Sequence, residues 1–471
     1  MRVENKGKLT WGPENKQVRH IHFVGIGGSG MSALALLSAQ LGFKVTGSDL
    51  KPVMGGLVLQ SKGTLECQVG HEAAHINGAD LVVYSSAISE NNIELEAARS
   101  SGIPVIRRAL YLAQLGRLRK SLTVCGAHGK TTTTAMVAHV MIAAGWDPSV
   151  VIGGRLLNFE SRSAIYGSGD WLVAEADESD GTLGFWSPHI AVVTNLDHEH
   201  LNYYGTFENL RAAFEDFCAR VPFYGAAIIN DDDTSLRSCA SGVAGKVMTF
   251  GLTPHADIHL LEYQAERTGK SMITLRLPDH TLLPLSLGVP GRHNALNAAA
   301  CIAACSMAGI EPQTSAQALQ SFQGVGRRLE KKGEMNGVIL IDDYAHHPTE
   351  VRATLAALRD RYPKSTLRVV FQPHRYSRVA NLLYEFSRCF EQAHEVAVTN
   401  IYGAGEIPLS DLTSHTLVRE IARHHPSVWY ESPAQQAWES LQKRAQPGDL
   451  IVTLGAGDIQ RVYASLSTTQ S

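Results

Sequence analysis

Residues 122–141 read LTVCGAHGKTTTTAMVAHVM. A short β-branched run ends at Gly126, and a helical pattern starts near Lys130. Gly126 and Gly129 let the backbone turn its N–H groups toward an anion, and the helix N-terminus adds partial positive charge. Lys130 is placed to reach β- and γ-phosphates, and the Thr131 hydroxyl to ligate Mg²⁺. The loop departs from the common Walker spacing: Val124 stands five residues before Gly129, leaving a shorter G-x-x-G-K-T. A glycine-rich turn capped by a threonine is the plain alternative. The strand before, the helix after and Gly-Lys-Thr between them favour a nucleoside triphosphate loop.

A second junction of the same kind lies upstream. Residues 22–32 read HFVGIGGSGMS and run into the helical pattern ALALLSAQLG. Gly25, Gly27 and Gly30 fit G-x-G-x-x-G, and Asp49 follows at the spacing of a dinucleotide-binding fingerprint. Such a loop holds a pyrophosphate whichever nucleotide carries it. A nicotinamide- or flavin-dependent oxidoreductase is one reading, and the separate Gly-Lys-Thr loop argues against it.

Short apolar runs alternate with helical stretches along the chain, among them HIHFV (20–24), WLVAEA (171–176), IAVVTN (190–195), VILIDD (338–343) and DLIVTLG (449–455). Continuous apolar strands belong to sheets covered on both faces, so the pattern predicts an α/β fold with mostly parallel sheets. Residues 246–288 break the rhythm with strand-like runs that lack long helices, and are expected to form an antiparallel edge. Basic LGRLRKS (115–121) and a stretch of SFQGVGRRLEKKGEMNG (321–337) read as linkers. Three α/β units result, at 1–118, 119–325 and 326–471.

The composition, 44% hydrophobic and 18% charged over 471 residues, is that of a globular protein. A net charge of −3 gives no electrostatic reason to bind nucleic acid or an anionic membrane. Seven scattered cysteines without a CxxC suit reduced thiols. The polar start MRVENKGKLTWGPENKQ lacks the apolar core of a signal peptide, and no stretch reaches the roughly 20 apolar residues of a membrane span. A soluble, cytoplasmic protein is expected.

A triphosphate loop needs acids for its metal. WLVA runs into EADESD, with carboxylates at 175, 177, 178 and 180, and IAVVTN into LDHEH, with His198 and His200. Mg²⁺ uses one or two carboxylates beside phosphate and water. Ligands of open α/β sheets collect at the carboxyl ends of strands, so the three segments are expected to converge. For any one acid, a solvated helix start or cap is the plain alternative.

The ordered set GIGGSGMSALA (25–35), TGSD (46–49), SSAI (85–88), GAHGKTTTT (126–134), EADESD (175–180), GRHNALNA (291–298), GRR (326–328), DDYAHHPTEV (342–351), QPHRYSR (372–378), AGE (404–406) and GAGDI (455–459) resembles the Mur ligase family. These are ATP-dependent amino-acid ligases that build the peptide of the bacterial cell wall. The resemblance implies a Rossmann-like UDP-binding domain, a central P-loop ATPase-type α/β domain and a C-terminal Rossmann-like α/β domain for the amino acid. It further implies ADP-forming ligation of L-alanine to the lactyl carboxylate of UDP-N-acetylmuramate through an acyl phosphate, in peptidoglycan precursor synthesis. ATP is then the co-substrate, Mg²⁺ (or Mn²⁺) the metal, and a monomer or weak homodimer the assembly.

Carried over by resemblance, Gly27, Gly28, Ser29, Gly30, Ser85 and Ser86 hold the UDP-sugar, with Asp49 at the uridine end. Gly126, Ala127, His128, Gly129, Lys130, Thr131 and Thr132 cradle ATP, and Thr131, Glu175 and His200 form the metal site. His293, Asn294 and Asn297 lie near adenine, Asp343 accepts from ribose hydroxyls, and Arg327 reaches back toward the γ-phosphate. Tyr344, His346, His374, Arg375, Tyr376 and Arg378 make the alanine pocket, with His346 helping to deprotonate the amine. The catalytic set is thus Lys130, Glu175, His200, Arg327 and His346. Capping or structural histidine is the plain reading of the pair at 346–347.

The chain departs from the family pattern in places. Ala127 replaces the usual threonine of the ATP loop. GTLGFWSP (181–188) carries an unusual Gly184 and Trp186, and LDHEHLNYYG (196–205) replaces a more acidic stretch, which leaves His198 as a rival to His200. Arg211 stands where related sequences often carry lysine; sister ligases carbamylate a lysine near this region, which arginine cannot do, so no carbamate is expected. Two other family readings compete: a recycling ligase that attaches a preformed tripeptide to the same sugar nucleotide, and a folylpolyglutamate synthase. A non-catalytic nucleotide-binding regulator is the alternative of another class.

Overall fold

The computed structural model describes residues 18–52, 65–85, 87–159, 161–179, 181–266 and 269–468. The first sheet holds β1 (His20–Val24), β2 (Lys44–Asp49), β3 (Leu65–Val69), β4 (Leu81–Tyr84) and β5 (Val105–Arg107), in the order β3-β2-β1-β4-β5. All its pairings are parallel. Strand order reverses at β1, and the crevice beyond the carboxyl ends of β1 and β4 is where such sheets bind ligands. The glycine loop 25–30 leaves β1 at that point.

The second sheet begins with β6 (Lys120–Cys125), β7 (Ser149–Leu156), β8 (Arg162–Ile165), β9 (Trp171–Glu175), β10 (Ile190–Val193), β11 (Ala226–Asn230) and β12 (Lys246–Gly251), ordered β12-β11-β10-β6-β9-β7-β8. Only the β7–β8 pair among these is antiparallel. β6 lies between β10 and β9, so the loop after β6 is flanked by the segments that follow those two strands. Register fixes the level: Val124 pairs with Glu175, and Cys125 with Val193.

The antiparallel edge expected at 246–288 starts differently. β12 is parallel to β11, and β13 (Ile258–Ala265) is parallel to β12 through Phe250↔Ile258 and Gly251↔His259. The short helix Arg237–Ser241 lies on the crossover from β11 to β12, and a same-sense strand follows it. β14 (Ser271–Arg276) and β15 (Leu282–Leu287) are the next neighbours in order.

The third sheet contains β16 (Glu330–Met335), β17 (Val338–Asp343), β18 (Leu367–Phe371), β19 (Glu395–Val398), β20 (Val428–Tyr430) and β21 (Leu450–Leu454), in the order β16-β17-β21-β18-β19-β20. β16 is an antiparallel hairpin partner of β17, and the rest pair in parallel. The three domains are therefore α/β, with mostly parallel sheets.

The described chain forms two compact units. One runs to residue 259 and includes 276–283 and 297–318; the other holds 260–275, 284–296 and everything from 319. The first unit contains a continuous apolar cluster that includes Phe23, Tyr111, Leu112, Trp186, Phe214 and Phe217, beside a smaller one of Val24, Val82, Tyr84 and Leu95. Each such side chain contributes roughly 1.5–3 kcal/mol on burial. The helix Lys130–Ala143 is buried from Thr131 to Met141, which accounts for its lack of a polar face. The second unit centres on Phe371, Phe386 and Phe390. No helix of the described residues is long and apolar enough to cross a membrane, and the seven cysteines form no disulfide.

Candidate functional site

The turn after β1 takes Gly25 to φ +82°, and the helix Ser29–Gln40 follows. Asp49, at the end of β2, faces this loop: its Oδ2 accepts from the Gly27 N–H at 2.9 Å. A Cβ on Gly27 would stand 2.9 Å from the same oxygen. Asp49 therefore holds the loop's shape, a role its spacing alone did not reveal. Gly28, Gly30 and Ser85 open onto a cavity of about 280 Å³. The Ser29 side chain and Ser86 lie outside the described residues.

Beneath this loop is a buried polar nest. Glu94 accepts from Ser48 Oγ at 2.5 Å, and His71 Nδ1 and His75 Nδ1 lie 3.1 and 2.7 Å from its oxygens. Burial opposes its charge, but His22, Ser48 and His75 outweigh that and hold its carboxyl down at about 2.

The second loop is pinned by the segment after β10. Asn195 Oδ1 accepts from His128 N at 2.7 Å, Asn195 O accepts from Ala127 N at 3.0 Å, and Thr194 Oγ1 donates to His128 O at 2.6 Å. Gly126 has φ +133°, and a Cβ there would lie 2.0 Å from Thr194 Oγ1, so only glycine fits. Gly129 has φ +82°, with Asn297 Oδ1 2.6 Å from the position of a Cβ. Asn297 is thus beside the second glycine loop. The helix begins at Lys130, with Thr132 buried in its first turn.

Lys130 Nζ donates to Gly126 O at 2.6 Å and to Glu178 Oε1 at 2.7 Å. Burial works against its charge, yet Glu178, Asp177 and Glu175 together raise its pKa. Glu178 is pushed up to about 8 by burial, with Lys130 opposing and Asp177 adding to the rise. Thr131 Oγ1 donates to Glu175 at 3.0 and 3.1 Å, and Glu175 Oε2 accepts from Gly153 N at 3.1 Å.

His200 lies with Glu178 and Glu199, its Nε2 at 3.6 and 3.8 Å from their oxygens. It has φ +58°, a left-handed conformation uncommon for a histidine. His198 instead stacks on Phe207 at 4.4 Å and is exposed. Buried Glu178 Oε2 has no hydrogen-bond partner, and Glu178, Glu199 and His200 offer donor atoms within 4.8 Å of one another. Carboxylates and a hydroxyl beside a glycine loop that opens a helix suit a hard divalent cation. Arg211 pairs with Glu215 across one helical turn in solvent.

The cavity at the first loop continues past Leu112 and Trp186 to Gly153, Glu175, Asp177 and Thr182. Trp186 is buried against Gly116, where a Cβ would meet its ring at 2.7 Å. The unusual GTLGFWSP segment thus builds one wall of this cavity.

In the second unit, Asn294 is buried and donates its amide to Pro290 O at 2.6 Å. Burial lowers His293 to about 4, with Arg328 adding, so its ring is neutral at neutral pH. Arg327 (φ +61°) donates to Gly455 O at 2.6 Å and lies 3.3 Å from Asp342 Oδ2, its guanidinium 5.0 Å from the centre of the Tyr344 ring.

Asp343 is engaged by the backbone around it. Its two oxygens accept from Leu329 N at 2.6 Å and Ala345 N at 2.8 Å, and burial raises it to about 6. A buried carboxylate engaged by two backbone N–H groups braces the turn.

His347 caps the helix Pro348–Arg361 in a capping box with Glu350, so the plain reading holds for that member of the pair. His346 instead joins Tyr344 and His374, with ring centres 5.2 and 5.7 Å away. Arg378 Nη1 is 3.2 Å from His374 Nδ1, and His374 stacks on Tyr402. Burial, reinforced by His346 and Arg378, drives His374 down to about 3. Arg375 takes φ +68° and caps the helix Tyr376–Asn381, with Ser377 anchored on Glu406 at 2.6 Å. The predicted alanine-side residues Tyr344, His346, His374 and Arg378 are therefore one cluster, with Arg375 and Tyr376 on the adjoining turn.

Glu178 and Arg108 were not singled out from sequence. Glu178 stands among four carboxylates with nothing local to distinguish it, and Arg108 lies in a basic stretch far from the loop it reaches.

Three family descriptions match the chain: "Mur ligase family, catalytic domain" over residues 20–120, "Mur ligase middle domain" over 124–305 and "Mur ligase, glutamate ligase domain" over 327–457. The UDP-N-acetylmuramate–L-alanine ligase of Syntrophobacter fumaroxidans is 44% identical over 451 residues, 95% of either chain. That of Sorangium cellulosum is 44% identical over 453 residues, 96% of either chain. The crystal structure of UDP-N-acetylmuramate–alanine ligase from Thermotoga maritima superposes with a TM-score of 0.79 at 28% identity, covering 96% of this chain and 100% of that one.

Proposed function

The chain belongs to the Mur ligase family, and we propose that it joins L-alanine to the lactyl carboxylate of UDP-N-acetylmuramate at the expense of ATP. The observation that carries this reading is the single cavity running from the first glycine loop to Glu175, which hydrogen-bonds Thr131 of the second. A nucleotide-sugar whose diphosphate lies on the first loop has its acyl end directed toward the phosphoryl donor on the second. Residues 1–118 are assigned to the UDP-sugar, 119–325 to ATP and 326–471 to the amino acid, in a cytoplasmic enzyme.

The lactyl carboxylate oxygen attacks the γ-phosphorus, and ADP leaves. The amine of L-alanine then attacks the acyl phosphate carbonyl, loses a proton and expels inorganic phosphate. Negative charge grows on phosphate oxygens in both steps, so catalysis consists chiefly of positioning and charge neutralisation. Lys130 supplies a fixed positive charge at the loop, and the backbone N–H groups of Gly129 and Lys130, at the helix N-terminus, supply donors. Thr131, Glu175 and His200, with the unpartnered oxygen of Glu178, are the groups for Mg²⁺, which supplies Lewis-acid neutralisation of phosphate when bound. Arg378 receives the alanine carboxylate, and His346 is the group for the amine proton.

Phosphate release from ATP, Mg²⁺ and UDP-N-acetylmuramate tests the reading, with L-alanine, the tripeptide or neither added. Release dependent on L-alanine, with a product heavier by one alanyl residue, is expected. Release only with tripeptide assigns the chain to recycling, and no release in any arm refutes the ligase reading.

A further inference from the structure

We propose that Arg108 is the cation that receives the diphosphate of the nucleotide-sugar, and that Gly30 lacks a side chain in order to admit it. The proposal rests on the reading of the first loop as the nucleotide-sugar site. Arg108 opens the helix Arg108–Gly116, and its guanidinium reaches across to the first turn of the helix Ser29–Gln40. A Cβ on Gly30 would lie 2.8 Å from Arg108 Nη1 and 3.4 Å from its Cζ. The guanidinium thus rests against the loop backbone and faces the cavity with Gly28 and Ser85.

The neighbouring arginines show what is unusual here. Arg107 donates to Tyr84 Oη at 3.2 Å and lies 3.6 Å from Glu90. Arg119 donates to Ser149 Oγ and to the carbonyls of Gly167 and Gly169. Arg117 donates to Phe185 O at 3.4 Å. Among the described residues, Arg108 alone in this stretch has no ion pair or hydrogen bond from its guanidinium.

An unpaired guanidinium in a cavity, beside glycines and a helix N-terminus, is matched by an anion of two or more oxygens. The planar fork suits adjacent phosphates better than an ammonium does. The first loop carries no lysine of its own, unlike the second, so Arg108 supplies the charge from another element. It is a binding residue for the diphosphate, remote from the phosphoryl transfer.

The test measures affinities of the full chain for UDP and for uridine, in the wild type, R108A, R108K and G30A. A charge-assisted contact on the diphosphate predicts about 10- to 100-fold weaker UDP binding in R108A. Uridine binding should change less than twofold. R108K should recover part of the loss, keeping the charge without the fork. G30A displaces a flexible side-chain end and not backbone, so it should fold, yet bind UDP more weakly. A wild type that prefers UDP to uridine while R108A keeps that preference overturns the proposal and leaves the site reading intact. Equal losses for UDP and uridine overturn it as well, since they mark a structural role. A wild type with no preference for UDP removes the site reading and the proposal with it. Should R108A fail to fold, R108K and G30A carry the same comparison.

Discussion

The two glycine loops share one backbone plan and differ in what surrounds it. Each leaves a strand at the point where its sheet reverses order, and each opens a helix. The first is shaped by an acid on its own N–H (Asp49 on Gly27), over a glutamate held ionised by histidine and serine donors. The second carries its own lysine and faces Glu175, Asp177 and Glu178. Glu94 and Glu178 are both buried glutamates, at about 2 and about 8 respectively. Burial alone therefore does not decide their charge; the donors on each carboxylate do. Glu94 has several, whereas Glu178 has one lysine and an acidic neighbour. A loop that only holds a finished diphosphate needs a stable frame. A loop at which a phosphoryl group moves needs a mobile balance of cation, acids and metal.

The largest effect that difference predicts is at Lys130. K130A should lower ligation by at least about 10³-fold, the scale on which a charged group at a transferring phosphoryl acts, while UDP still binds. Without the cation, which opposes the rise, Glu178 should be pushed up further still. Near-normal phosphate release by K130A would break the contrast, because the second loop would then be a holding site like the first. Next is Glu175. E175Q keeps the Thr131 contact in outline but removes charge from the metal groups. The Mg²⁺ concentration for half-maximal turnover should rise about 10- to 100-fold. A magnesium titration with unchanged midpoint would place the metal elsewhere. Smaller again is Asp49: D49A deletes an acceptor of one loop N–H. An approximately 5- to 10-fold weaker affinity for the UDP-sugar is expected, with the ATP affinity unaltered. Equal losses for both nucleotides would mean the two loops are not independently framed.

Much of this arrangement is legible from residues alone. Buried parallel strands such as Lys120–Cys125 and Leu450–Leu454 announce themselves as apolar runs because both their faces are covered. Edge strands do not. Leu65–Val69 is mostly exposed, and Glu330–Met335, EKKGEM, reads as a charged linker yet pairs with Val338–Asp343. Exposure on one face and a free edge remove the apolar signal. In the site, glycines followed by lysine and threonine carry their chemistry in sequence order, so the turn and the helix it opens are legible. The bracing contacts of Asp343 are not legible, because they depend on which backbone N–H groups the fold brings to it. Arg108 and Glu178 escaped notice because their partners, Gly30 and Lys130, are distant in the chain.

The last effect is smallest in turnover and separates frame from chemistry. Glu94 belongs to the frame: it ties Ser48, at the end of β2, to His71 and His75. Its carboxyl lies at about 2 in the folded protein, against an ordinary 4.5. A depressed folded value contributes stability that is fully present above about pH 4.5 and is lost as the pH falls toward 2. The difference corresponds to up to about 3 kcal/mol. E94Q should therefore unfold at lower denaturant at neutral pH, with turnover per folded molecule within about twofold of the wild type. Its stability should also fall less steeply than the wild type's between pH 4.5 and 2. Parallel acid profiles for the two proteins would show that the histidine nest does not hold Glu94 ionised. The stated contrast with Glu178 would then collapse to burial alone.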